Sequence, residues 1–314
     1  MKIVIIGAGA VGQLFAALLA QDGKHEIVLV ETADAVRDAI NAQGVCCSFG
    51  DKTYAAKCVC TTADGVSETA DLTILCTKTP DSETALTEAR AYMDAHTCVM
   101  SVQNGLGNAE LIKRFADADH TWIGMCTYSS DRTKRNAVRS SGEGIIKLMP
   151  LSGVMGEKIQ EVEALFCSAG LNCEAREDVW QDIWQKAAYN AALNSTSAVC
   201  RLPCGGMGIL NKGMDLCNNI VDETCQVAIA YGVELDATRV KNDLRRKIFG
   251  PDKDHITSMA QDVIRKQRTE VGSINGAIVK YAAAKGMNAP YNEAMFCLIR
   301  SIESTYDLQV TEII

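Results

Sequence analysis

At 314 residues the chain is long enough for two domains and a sizeable core. Its 39 acidic against 31 basic residues leave a formal net charge of −8, which argues against nucleic acid and anionic membrane as partners, since both select a basic surface. No apolar run reaches the length of a membrane span, the opening run lacks a cleavage-site pattern, and the 14 cysteines are scattered without the density of a secreted scaffold. The expected protein is therefore cytoplasmic, with reduced thiols.

The chain opens with a short apolar run over 1–6, then Gly7-Ala-Gly-Ala-Val-Gly12, then a helical pattern over 13–21. Strand, glycine turn and helix are the context in which G-x-G-x-x-G holds a dinucleotide. Gly7 permits the turn, Gly9 admits the pyrophosphate and Gly12 lets the helix pack on the strand. The N–H groups from Gly9 through Ala10, Val11 and Gly12 lie at the positive end of that helix, where phosphates bind. A second apolar strand over 26–30 closes on Glu31, nineteen residues after Gly12. Its carboxylate accepts hydrogen bonds from ribose hydroxyls and repels a 2′-phosphate, which favours NAD(H). Arg37 is placed to swing in as a phosphate partner, and keeps NADP(H) in play.

A helix is expected over 33–42, then a polar, β-rich excursion over 45–54 with a turn at Gly50-Asp51. A buried strand over 71–77 ends at Lys78, a helix follows over 81–93, and a strand over 97–102 ends at Gln103-Asn-Gly-Leu-Gly107. This alternation predicts a parallel sheet with helices on both faces. Ligands collect at the carboxyl ends of such strands, so Lys78 and Asn104 fall on the same edge as the glycine turn, as cofactor contacts. Further strands are expected over 121–126, 144–149 and 171–174, with 129–136 a solvated loop. Cys58 and Cys60, like Cys200 and Cys204, lack C-x-x-C spacing, and with 4 histidines no metal is expected. From Asp178 strand signals stop and helical patterns take over. The expected architecture is α/β, a doubly wound Rossmann-type sheet over 1–177 followed by an all-helical substrate and catalytic domain over 178–314.

In the helical half, Lys186, Asn190 and Asn194 recur at i, i+4 and i+8 and form one polar stripe. Asparagine lowers helix propensity without the solubility gain of a charge, so the stripe reads as the lining of a cleft. Ser258 and Glu270 lie twelve positions apart, about 18 Å on an unbroken helix. For both to reach one small molecule the helix must break near 267–269, with Thr269 capping a new helix and Glu270 in its first turn.

These pieces together resemble the ketopantoate reductases (2-dehydropantoate 2-reductases) over nearly the whole chain. The likeness rests on Gly7 to Gly12, Lys78, Gln103 to Gly107, Trp184-Gln-Lys-Ala-Ala-Tyr-Asn-Ala-Ala-Leu-Asn194, Thr257-Ser-Met-Ala-Gln-Asp262 and Arg268-Thr-Glu270. The resemblance implies hydride transfer from NAD(P)H to a 2-keto acid, with Lys186 as general acid and Asn104, Asn190, Asn194, Ser258 and Glu270 as substrate contacts. It also implies a homodimer. Glu31 departs from the pattern of NADPH-preferring members, so an NADH-dependent D-2-hydroxyacid dehydrogenase for branched-chain or aromatic 2-keto acids stands as the alternative. A non-catalytic dinucleotide sensor is the alternative of another class, and Lys186 argues against it, because a sensor needs no proton donor.

Overall fold

The computed structural model describes residues 1–209 and 211–309. Packing divides them into two compact units. The first holds Met1–Gln103 and Asn108–Val179, and the second holds the tetrapeptide Asn104–Gly107 together with the described residues from Trp180 onward.

The first unit runs β1 (Lys2–Ile6), α1 (Ala10–Leu19), β2 (Glu26–Val30), α2 (Asp34–Gln43), β3 (Val45–Phe49), β4 (Lys52–Ala56), β5 (Val59–Thr61), β6 (Leu72–Leu75), α3 (Ser82–Ala89), β7 (Cys98–Ser101), α4 (Asn108–Ile112), β8 (Thr121–Cys126), β9 (Asp131–Lys134), β10 (Ala137–Ser140), β11 (Ile146–Pro150), α5 (Glu157–Ser168) and β12 (Cys173–Ala175). Eight strands form one sheet in the order β12-β11-β8-β7-β6-β1-β2-β5, parallel except where β11 meets β8. β1 is paired on both edges and buried along its length, so it reads as an apolar run rather than an alternation. The strand order reverses about β1, which opens a ligand crevice at the carboxyl end of that strand. On one face of the sheet α1 meets α5 through Phe15 and Phe166, edge to face with centroids 5.3 Å apart, a pair worth about 1 kcal/mol beyond its buried area.

The excursion over 45–54 is the hairpin β3–β4, and it grows into a second, four-stranded sheet in the order β4-β3-β10-β9. The stretch 129–136, expected as a solvated loop, therefore contributes a strand. All of β9 is exposed, so it lacks the alternation by which a strand shows itself in sequence.

In the second unit the helices are α6 (Trp180–Cys200), α7 (Asn211–Ala230), α8 (Ala237–Phe249), α9 (Ser258–Ile264), α10 (Asn275–Ala284) and α11 (Pro290–Ser304). α6 is central, packed by α7, α8, α9 and α11. Two helix starts carry a side-chain cap: the Asp236 carboxylate accepts from the Thr238 and Arg239 amides, and Thr257 Oγ1 from the Ala260 amide. Pro290 opens α11, whose next two amides, of Tyr291 and Asn292, donate to the Glu223 carboxylate of α7 at 2.8 and 2.9 Å. No described helix is long and apolar enough to cross a membrane. Among the described residues no group of three or more His, Cys, Asp or Glu is placed to hold a metal ion.

Candidate active site

The glycine turn in the first unit joins β1 to α1. A Cβ at Gly12 would lie 2.0 Å from the Gly7 carbonyl oxygen, so the close approach of helix to strand requires glycine there. A Cβ at Gly9 would meet nothing within 4 Å, so that face of the turn stands open. The first intrahelical bond runs from the Gln13 amide to the Gly9 carbonyl at 3.0 Å, which leaves the amides of Ala10, Val11 and Gly12 ahead of the helical ladder. No acidic residue lies in the first turn of α1. An open glycine face, leading amides and no competing carboxylate in that turn fit the pyrophosphate of a nicotinamide dinucleotide.

Glu31 follows β2 and is drawn over this turn. Its Oε2 accepts the Ala8 amide at 3.1 Å, and its Oε1 accepts the amides of Thr32 and Ala33 at 2.9 and 3.0 Å. A carboxylate offers about four lone-pair sites, so Oε2 retains one for a ribose hydroxyl. Arg37, expected to be able to swing toward a phosphate, is instead held down. Its guanidinium donates to the Glu31 and Thr32 carbonyls at 2.8 and 2.7 Å and pairs with Asp34. It buttresses the loop that carries Glu31.

Lys78 is half-buried three residues past the end of β6, where it caps a short 3₁₀ turn over Thr79–Asp81. The ends of β6 and β7 are tied by Gln103, to which sequence reasoning gives no role of its own. Its amide nitrogen donates to the Thr77 carbonyl at 2.6 Å and to Ser82 Oγ at 2.9 Å, while its oxygen accepts from Ser101 Oγ at 2.9 Å. The polar character of the stretch 101–104 is the only sequence sign of this network.

The second unit gathers the remaining predicted residues. Asn190 and Asn194 are 6% and 7% exposed, so the α6 stripe is not a solvated face, and Lys186 is half-buried one turn before Asn190. Asn190 Nδ2 donates to Asn104 Oδ1 at 3.5 Å, and Asn104 Nδ2 donates to Glu270 Oε2 at 3.3 Å. Asn104 arrives on a backbone that is itself built in. The Leu106 amide donates to the Ser273 carbonyl at 2.8 Å, and Gly105 has φ +87° with its Cα so near that a Cβ would sit 2.3 Å from the same oxygen. Only glycine satisfies both conditions. Beneath the stripe, Asn275 Nδ2 donates to the Ala191 carbonyl at 3.1 Å and to Asn292 Oδ1 at 3.1 Å, fixing α10 against α6 beside Asn190. The sequence marks Asn275 only as an asparagine inside an apolar helix.

The helix over 258–274 does break, a few residues earlier than the 267–269 expected for Ser258 and Glu270 to serve one site. α9 stops at Ile264 in a Schellman turn, with Lys266 at φ +54° and the Gln267 amide bonded to the Asp262 carbonyl at 2.8 Å. Thr269 Oγ1 accepts the Val271 amide at 3.2 Å, as a capping residue should. The regular helix α10 begins only at Asn275, so Glu270 sits in an irregular turn ahead of it rather than in its first turn. The Glu270 carbonyl accepts both the Ser273 and Ile274 amides, at 3.0 and 3.1 Å. Ser258 is the first residue of α9 and is exposed.

A family model described as "Ketopantoate reductase PanE/ApbA" matches residues 3–153, and its partner "Ketopantoate reductase PanE/ApbA C terminal" matches residues 178–303. The 2-dehydropantoate 2-reductase of Archaeoglobus fulgidus is 31% identical over 306 residues, covering 96% of this chain and 98% of that protein. Among solved structures, the ternary structure of D-mandelate dehydrogenase with NADH and anilino(oxo)acetate superposes with a TM-score of 0.91 at 26% identity, covering 98% of this chain and 100% of that chain. A dimeric ketopantoate reductase from Staphylococcus aureus gives a TM-score of 0.81 at 19% identity over 97% of this chain and 99% of that chain, a likeness of fold alone.

Proposed function

The chain belongs to the ketopantoate reductase family, and from that premise we propose that it reduces a 2-keto acid to the 2-hydroxy acid, with 2-dehydropantoate as the first substrate to test. The observation that carries this reading is the hydrogen-bonded run Asn190–Asn104–Glu270, two amides and a carboxylate brought together from three segments beside the Lys186 face of α6. A bound reduced nicotinamide supplies the hydride. As negative charge grows on the substrate's carbonyl oxygen, the Lys186 ammonium stabilises it and donates the proton. The amides of Asn104, Asn190 and Asn194 and the hydroxyl of Ser258 suit the substrate's carboxylate and hydroxyls, and Glu270 accepts from a substrate hydroxyl. The cofactor falls to Gly7, Gly9, Ala10, Val11, Gly12, Glu31 and Lys78, with Asn104 as a shared contact.

A site built to hydrogen-bond a hydroxyl rejects an analogue without one far more strongly than an apolar pocket does, so the polar run favours 2-dehydropantoate over 2-ketoisovalerate. NADH is the preferred donor in this reading, supported by the Glu31 carboxylate over the glycine turn and by an Arg37 guanidinium already engaged with two carbonyls and Asp34. The same carboxylate, with the likeness to a D-mandelate dehydrogenase that binds NADH, favours a second reading as a D-2-hydroxyacid dehydrogenase. A cytoplasmic homodimer completes the proposal, and light scattering on the purified chain tests its oligomeric part.

One assay separates these readings: loss of reduced-cofactor absorbance with NADH and NADPH against 2-dehydropantoate, 2-ketoisovalerate, 2-ketoisocaproate and phenylpyruvate. Turnover of the branched or aromatic acids without turnover of 2-dehydropantoate overturns the leading reading in favour of the second. Silence with every pair, from folded protein that still binds cofactor, leaves the sensing role.

A further inference from the structure

The turn that carries Glu270 has no regular structure of its own, and two of the side chains that anchor it come from the end of α11 and the turn just after it. Thr269, buried, donates its amide to Glu303 Oε1 at 2.6 Å. Two residues earlier, the Gln267 carbonyl accepts the Tyr306 hydroxyl at 2.8 Å. The Glu303 side chain is only 7% exposed, and its other oxygen accepts from Arg300 at 2.7 Å, so both carboxylate oxygens are engaged. Burial first, then Glu303 and Asp262, push the Tyr306 hydroxyl above its ordinary range, which keeps it a donor. The peptide leading into Glu270 is thus gripped from outside its own segment, while the Glu270 carbonyl is gripped from within by Ser273 and Ile274.

The geometry points to Glu303, seconded by Tyr306, as a positioning residue that aims Glu270 at the substrate through the Thr269 peptide. The inference rests on the reading of Glu270 as a substrate contact. A site group displaced by even about 1 Å loses much of its effect, so loosening this peptide weakens substrate binding without any change in the groups that touch substrate. Of the proposed cofactor contacts, the glycine turn, Glu31 and Lys78 lie outside this grip, and Asn104 touches it through Glu270.

The test compares Glu303→Ala, Glu303→Gln and Tyr306→Phe in the full-length chain, each checked for folding by circular dichroism. Glu303→Ala is expected to raise the keto-acid KM roughly tenfold or more while the cofactor KM stays within about twofold. Glu303→Gln keeps an oxygen acceptor for the Thr269 amide and restores the keto-acid KM to within about threefold of the native value. Tyr306→Phe, the milder lesion, raises it about threefold. An unchanged keto-acid KM in folded Glu303→Ala, an equal rise for the cofactor, or a failure of Glu303→Gln to rescue overturns the assignment. Native protein that reduces no keto acid sinks the functional reading instead, and amide hydrogen exchange then judges the grip itself. Faster exchange at Thr269 in Glu303→Ala and not in Glu303→Gln upholds the grip, and unchanged exchange rejects it.

Discussion

In the sheet unit the candidate cofactor site is made of backbone. Its working parts are the amides of Ala10, Val11 and Gly12 and the space left open at Gly9, and the carboxylate drawn over the turn, Glu31, is itself held by the amides of Ala8, Thr32 and Ala33. In the helical unit the candidate substrate site is made of side chains. Asn190, Asn104 and Glu270 come from segments far apart in sequence, and each is aimed by a partner elsewhere: Asn275 beside Asn190, Ser273 behind Asn104, Glu303 ahead of Glu270. A backbone site tolerates neighbours of many kinds provided the glycines remain. A side-chain site depends on a hydrogen-bonded network whose members support one another.

The contrast is open to direct attack. Lys186→Ala should lower kcat by about a hundredfold or more while cofactor affinity, followed by fluorescence titration, stays within about twofold. A matching loss of cofactor affinity would break the division of labour between the units. Gly12→Ala acts in the opposite sense: its Cβ meets the Gly7 carbonyl oxygen at 2.0 Å, so cofactor affinity should fall on the order of tenfold and thermal unfolding should show about 1–3 kcal/mol of lost stability. Retention of native cofactor affinity in that variant would show that the turn is not what binds. Glu31→Arg should shift the ratio of kcat/KM for NADH over NADPH roughly tenfold toward NADPH with little change in the keto-acid KM, and equal changes for both cofactors would remove Glu31 from the ribose.

The smallest expected effect concerns the thiols, all of them free. Burial pushes Cys58 up to about 11, and burial with the nearby Glu31 carboxylate pushes Cys60 up to about 12. At about pH 8 their thiolate fractions are on the order of a thousandth or less. Brief alkylation should therefore mark the exposed Cys167, Cys200 and Cys297 first and leave turnover within about twofold of native. Early modification of Cys60 with loss of NADH binding would show instead that the loop bearing Glu31 opens readily.

How much could be read beforehand follows from the same contrast. The glycine turn, its flanking strand and helix, and Glu31 are contiguous or nearly so, and each element announces itself by a local pattern. The α6 stripe is legible because helical periodicity sets Lys186, Asn190 and Asn194 on one face, and a break between Ser258 and Glu270 is expected on the condition that both serve one site. The second sheet is harder. β9 has no buried residue to set an alternation, and β10 finds its parallel partner in β3, some ninety residues away in sequence. Glu303 and Gln103 are likewise silent in sequence, since a carboxylate on a surface-patterned helix and a glutamine after a strand gain meaning only from the amides and carbonyls that meet them. Ser258 shows the reverse, a residue singled out by motif whose side chain lies exposed at the head of α9.

The tetrapeptide 104–107 belongs by its packing to the helical unit, although the chain on both sides of it belongs to the sheet unit. This interlacing limits how the protein can be recombined. A hybrid enzyme that exchanges the helical half at residue 180 alone would graft a foreign Ser273 counterpart onto a native Gly105, and would inherit Asn104 from the wrong parent. Shuffling that keeps the tetrapeptide with its helices crosses the sequence at three points, so the helical packing unit of this scaffold is inherited as a discontinuous block.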